Sequence, residues 1–166
     1  MHELKPLSKD GVAAALKKAE RYRLLNEAWE AESICRDVLG VDPDNQQALI
    51  ILLLAMTDQF GDPGADVTAA RAVLERVHGE YERAYYAGIV SERWAKRLLA
   101  HRAPGIGPAI YAWLEEAMTW FEQAERLRPT GTDDAILRWN TCARLIQRHD
   151  HIRPAAPEER TAIESE

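Results

Sequence analysis

The chain has 166 residues, 46% of them hydrophobic and 29% charged, which suits one soluble domain with a sizeable core and leaves little room for two. A formal net charge of -6 works against non-specific attraction to nucleic acid or to an anionic membrane surface. Two cysteines, Cys35 and Cys142, stand far apart without a CxxC spacing, which speaks against a disulfide framework or a structural zinc site and for a reducing, cytoplasmic setting.

The opening MHELKPLSKD lacks the charged-then-apolar pattern of a secretory signal. From Ser8, read as an N-cap, the positions Val12, Ala15, Leu16, Ala19 and Tyr22 form one apolar stripe at helical spacing. Asn26 falls where this helix should stop, since asparagine tolerates the left-handed conformation of a helix end. A second helix follows at once, with Ala28, Ala31, Ile34, Cys35, Val38 and Leu39 on its inner side.

The corner DPDN, residues 42–45, raises the question of a cation loop. A calcium loop of the EF-hand type needs oxygen ligands at alternate positions, then a glycine and a bidentate glutamate after a fixed gap; Gln46 and Gln47 follow instead. The corner therefore reads as a proline stop followed by Asp44 or Asn45 as the cap of a third helix. That helix, about 45–60, is apolar nearly all round and predicts neighbours on most sides. Its run ALIILLLAM is far shorter than the ~20 residues a bilayer needs.

After the loop GDPGAD, Asp66 is the expected cap of a fourth helix carrying Ala70, Val73, Leu74 and Val77, with Gly79 as its stop. A fifth helix is expected over 80–101, broken by RAPGIGP with its two prolines and two glycines. Pro108 suits the first turn of a sixth helix, whose stripe is Ile110, Trp113, Leu114, Ala117, Trp120, Phe121 and Ala124 and which Pro129 ends. Thr132 or Asp133 should cap a seventh, with Ile136, Leu137, Trp139, Ala143 and Ile146 as apolar positions. From Ile152 the segment IRPAAPEERTAIESE has little to bury and predicts a disordered or loosely docked acidic tail over 152–166, behind a helical domain over 1–151.

The second and sixth helices are alike. Glu30, Ala31, Cys35, Val38 and Pro43 pair with Glu116, Ala117, Phe121, Ala124 and Pro129 at one constant separation. Each is a helix with a small residue at a close crossing, a larger one a turn later, another small or medium one and then a proline stop. This resembles the tetratricopeptide repeat family, a helix-turn-helix unit with a period of about 34 residues. The resemblance spans most of the chain and implies an all-α fold of about three helix pairs, over 10–43, 45–79 and 80–129, with 132–149 as a C-terminal capping helix, in a right-handed α-α superhelix. The sequence departs from the family in carrying Ala15 and Lys18 where a tryptophan and a leucine are usual, in lacking a proline after the second unit, and in the inserted RAPGIGP.

The resemblance further implies a protein that binds a peptide or helix of a protein partner in a concave groove, without catalysis of its own and without a cofactor. The family's cluster of basic residues and asparagines for a terminal carboxylate is missing from helix three, which offers Ile50, Ile51, Leu53 and Leu54. In helix five, Arg93, Lys96 and Arg97 share one sector with Tyr86, and His101 and Arg102 follow. This basic stripe in an acidic chain reads either as a solvated face partly balanced by Glu92 or as a surface for an acidic segment of a partner or of the tail, with its Glu158, Glu159, Glu164 and Glu166. Asn140, on the side of Ile136 and Ala143, either satisfies a loop backbone group or reaches into the groove.

His149, Asp150 and His151 make an incomplete zinc set, because neighbours two apart on a helix point to different sides; histidine near a helix C-terminus is also favoured by the dipole. Trp113 and Trp120, seven apart, belong to one core stripe. No Gly-x-Ser-x-Gly and no phosphate loop with Lys-Ser or Lys-Thr occurs. The expected function is thus a cytoplasmic interaction scaffold with a protein or peptide partner, nucleic acid and membrane excluded; its alternatives are a metal-binding or enzymatic helical bundle using His149 and His151, and a homo-oligomeric scaffold.

Overall fold

The computed structural model describes residues 1–157, so the acidic Glu158, Glu159, Glu164 and Glu166 of the expected tail lie outside the described residues. Among the described residues the chain is all-α, with seven α-helices, one 3-10 turn and no strand. No helix among them is long and apolar enough to cross a membrane. The chain divides into two compact units, Met1–Gly79 and a second that begins at Glu80.

In the first unit, α1 (Val12–Leu24), α2 (Ala28–Val41) and α3 (Gln46–Asp58) each pack on the other two, and α4 (Val67–Leu74) packs on α3. Leu16 and Ala19 of α1, Ala31, Cys35 and Val38 of α2, and Ala48, Ile51, Leu52 and Ala55 of α3 form one buried cluster, with Tyr22, Ile34 and Leu39 against it. The predicted stripes of α1 and α2 are therefore the packing faces. Ser8 differs from expectation. It heads a 3-10 turn, Lys9–Gly11, in which its carbonyl accepts from Gly11 N at 3.1 Å, so α1 starts only at Val12 and the Ser8 hydroxyl caps nothing.

Asn26 sits at φ +62, in the left-handed region, which lets α2 begin within four residues of the end of α1. The DPDN corner is a cap. Asn45 Oδ1 accepts from Ala48 N at 2.9 Å while Asn45 Nδ2 donates to Asp42 Oδ2 at 2.9 Å. Arg76 Nη2 donates to the Pro43 carbonyl at 2.7 Å, and His78 N donates to Gln46 Oε1 at 2.7 Å, tying the corner to the chain that follows α4. As its composition predicts, α3 is buried nearly all round, at Ala48, Leu49, Ile51, Leu52, Leu53, Ala55 and Thr57. Asp66 caps α4 by accepting from Thr68 N at 2.8 Å. That helix ends at Leu74, earlier than expected, because the chain tightens into turns such as Val77 N to Leu74 O at 3.0 Å before Gly79, which takes φ +84.

In the second unit α5 (Glu80–His101) and α6 (Gly107–Leu127) form a long hairpin, and α7 (Asp134–Arg148) packs mainly on α6. The hairpin is close where Gly88 of α5 meets Phe121 of α6: a Cβ on Gly88 would come within 2.4 Å of the ring. Ile110, Leu114, Ala117, Phe121 and Ala124 of the predicted α6 stripe are buried, while Trp113 and Trp120 are half-buried at its edges.

The inner face of α7 departs from the prediction. Its buried residues are Ala135 and Cys142, whereas Leu137, two positions on and thus about 200° round the helix, is 63% exposed. Arg138 lies between them and turns inward, for an electrostatic reason given below. Beyond α7 the chain does not leave the unit at once. Ile152 is 2% exposed, its N–H donates to the His149 carbonyl at 2.9 Å, and the His151 carbonyl lies against Gly107, where a Cβ would come within 2.0 Å of its oxygen.

Candidate functional site

Six consecutive residues of α5, Ala87, Gly88, Ile89, Val90, Ser91 and Glu92, are buried. Glu92 is 0% exposed, which corrects the expectation that it balances a solvated face. A carboxylate in that position needs partners, because an unpaired buried charge is severely penalised. It has two. Lys96 Nζ, one turn along α5, forms a short ion pair with Oε1, and Arg138 Nη1 of α7 stands 3.4 Å from Oε2 and 3.5 Å from Oε1. Burial alone would favour loss of the Arg138 charge, but Glu92, together with Tyr85, outweighs it and holds the guanidinium above its usual value. The inward turn of Arg138 is thus the answer of α7 to a buried acid on α5.

The five residues expected to bind a partner are placed as follows. Tyr86, Arg93 and Arg97 are half-buried on α5; the Tyr86 ring meets Tyr85 edge-on at 5.2 Å, and the Arg97 guanidinium lies 4.6 Å over the Trp94 ring. Trp94 in turn packs on Trp113 of α6, with centroids 6.2 Å apart. Lys96 meets α7 through Glu92. Asn140 is half-buried on α7, two residues past Arg138.

Lys96 also reaches a cleft of ≈ 830 Å³ at the turn between α5 and α6, which none of the other four lines. Arg102, His149 and His151 supply the remaining polar wall, Leu99 and Ile106 the apolar one, and Gly107 and Pro108 the first turn of α6. Among the described residues no aspartate or glutamate lines it, although Asp150 stands between the two histidines in sequence. Contrary to the expectation that they point to different sides, the imidazoles of His149 and His151 meet edge to face, with centroids 5.8 Å apart, because the helix has ended at Arg148. His149 Nδ1 lies 3.0 Å from the Leu145 carbonyl; a carbonyl can only accept, so the proton is on Nδ1 and Nε2 is left for other partners. Among the described residues no group of three or more His, Cys, Asp or Glu side chains is arranged to hold a metal ion.

No family model, curated protein or solved structure matches this chain. Neither cysteine is a nucleophile in the folded chain: burial, then the nearby Glu32, pushes the Cys35 thiol up to about 12, and burial, then Glu92, pushes Cys142 up to about 12. Both are fully buried. A disulfide reagent at pH 8 is therefore expected to leave both thiols untouched until denaturant unfolds the chain and then to titrate two; rapid reaction of either in native protein would contradict this.

The cleft was only partly legible. Lys96 and Arg102 stand out in sequence as part of a basic stripe, but that stripe follows one helix, whereas the cleft gathers residues from α5, the loop and the segment after α7. The signal that does exist is RAPGIGP: a loop with two glycines lets another segment come close, as His151 does at Gly107.

Proposed function

We propose that this protein is an interaction scaffold built of helical hairpins of the tetratricopeptide type, which presents preformed helix faces to a peptide or helix of a protein partner and carries out no chemistry of its own. The observation that carries this reading is the recurrence of one packing solution. Ala31, Cys35 and Val38 of α2 and Ala117, Phe121 and Ala124 of α6 occupy equivalent positions ahead of Pro43 and Pro129, and all six are 0% exposed. A pattern repeated at that level of burial supports reading the two helices as copies of one unit, and repeat units of this kind serve as surfaces.

The first unit offers such a surface. Leu24, Leu25 and Trp29, around the turn between α1 and α2, are exposed, Trp29 at 66%. Trp29 edges a smaller cleft of ≈ 310 Å³ that Met56 and Phe60 also line. Exposed apolar side chains grouped in this way, with a tryptophan among them, are the usual anchors of protein association. Partners cross-linked to the wild-type chain in cells of its source should be lost or reduced with Trp29→Ala, while the melting temperature stays where it was, because surface substitutions usually cost no more than about 0.5 kcal/mol. Undiminished capture by the variant would count against the reading at this surface. Capture of the chain itself, or stoichiometric zinc or iron in the purified protein, would favour the homo-oligomeric or the metal-binding alternative.

A further inference from the structure

We propose that the cleft at the α5–α6 turn is a binding site for a small organic carboxylate with an apolar body. The inference is independent of the repeat architecture and of the partner surface on the first unit, since it rests on the second unit alone. Four observations converge on it.

The first is the charge. Lys96, Arg102, His149 and His151 line the cleft and, among the described residues, no carboxylate does. Lys96 is shared with the buried Glu92, but that single acid is also paired with Arg138, and Arg102 adds a second cation to the cleft wall. The second is size and texture. At ≈ 830 Å³ the cleft is far larger than a bare ion needs and falls in the range of small-molecule sites, and Leu99 and Ile106 give it an apolar wall beside the cationic one. An anion alone would leave that wall wet; a neutral apolar molecule would leave the cations unanswered.

The third is Arg102 itself. It ends α5 at φ +52, a conformation that glycine or asparagine takes readily and arginine does not. Glycine would close the helix at lower cost, and what arginine adds at this place is a guanidinium on the lip of the cleft, able to grip a carboxylate with two parallel bonds. The fourth is rigidity. The histidine wall is not a loose end: Ile152 is buried, its N–H is bound by the His149 carbonyl, and the His151 carbonyl is seated on Gly107. The Nδ1 proton of His149 is committed to the Leu145 carbonyl, which fixes the orientation of the ring in the cleft wall. A site held in place before binding loses little entropy on binding.

The test uses the full chain and octanoate as probe, followed by chemical-shift changes and calorimetry. Octanoate should bind saturably at one site, while octanol, the body without the charge, and acetate, the charge without the body, bind at least about tenfold more weakly. Arg102→Gly should weaken octanoate about tenfold and yet melt no lower than wild type, since glycine relieves the backbone; Arg102→Asn, which also tolerates the left-handed conformation, should behave alike. A residue of purely structural value would lose stability instead. Octanol or inorganic phosphate binding as tightly as octanoate, octanoate affinity unchanged in both Arg102 variants, or no saturation below millimolar concentration would each overturn the proposal.

Discussion

Replacing Lys96 and Arg138 together by methionine should lower the stability of the chain by about 3–5 kcal/mol, the cost of leaving a buried charge without a partner. The reason lies in the asymmetry of the cluster. Glu92 is fully buried, whereas the side chains of Lys96 and Arg138 keep 40% and 33% of their exposure. Removing the acid leaves two cations that can turn toward water; removing the cations leaves an acid that cannot. Glu92→Gln, which keeps the shape, should therefore cost only about 1–2 kcal/mol, the net worth of charge-assisted hydrogen bonds whose donors can be rehydrated. Adding Glu92→Leu to the double methionine variant should recover most of the loss, because an apolar triad of similar volume often does as well as a buried ionic one. Urea unfolding of the four proteins measures these differences. A double variant that loses less than about 1 kcal/mol would mean that Glu92 finds water in the folded chain.

The same cluster explains where the sequence was readable and where it was not. Local signals were enough for most helix boundaries: Asn26 at φ +62, Asn45 on Ala48 N and Asp66 on Thr68 N each stand where composition and capping chemistry put them. Packing faces made of apolar residues at helical spacing were equally readable in α1, α2 and α6. On α7 the face is not chosen by hydrophobicity. A stripe drawn through Ile136, Leu137 and Ala143 maximises apolar content, but the chain buries Ala135 and Cys142 and leaves Leu137 in water, so that Arg138 can reach Glu92. Nothing local to α7 announces a buried acid 46 residues earlier in the chain. The Arg93, Lys96 and Arg97 stripe was drawn without sight of the burial of that same acid, to which Lys96 is paired. A helical wheel treats α5 as having one inner side, and burial of six residues in a row removes the distinction on which the wheel depends. Within that stripe Lys96 forms an ion pair with Glu92 and Arg97 stacks on Trp94.

Gly88→Ala should destabilise the chain by about 1–3 kcal/mol, although alanine is the better helix former by about 1 kcal/mol in an exposed position. The added Cβ would stand 2.4 Å from Phe121 Cε1 and 2.6 Å from Cδ1, well inside contact distance. Relief requires the ring to move, and Phe121 is 0% exposed, inside a core where close packing resists such shifts. Gly40 on α2 provides the control, since a Cβ there meets nothing within 4 Å; Gly40→Ala should stabilise by about 0.5–1 kcal/mol through the same propensity that Gly88→Ala cannot realise. The decisive variant is the pair Gly88→Ala with Phe121→Leu. Phe121→Leu by itself opens a cavity and should cost about 2–3 kcal/mol, whereas in the pair the new methyl group occupies part of the space the ring has left, so the combined loss should fall short of the sum by at least about 1 kcal/mol. Additive losses would show that the two helices do not meet at Gly88 and Phe121. Coupled losses would locate the closest approach of the hairpin there, and with it the reason a larger residue follows the small one by a turn in α6.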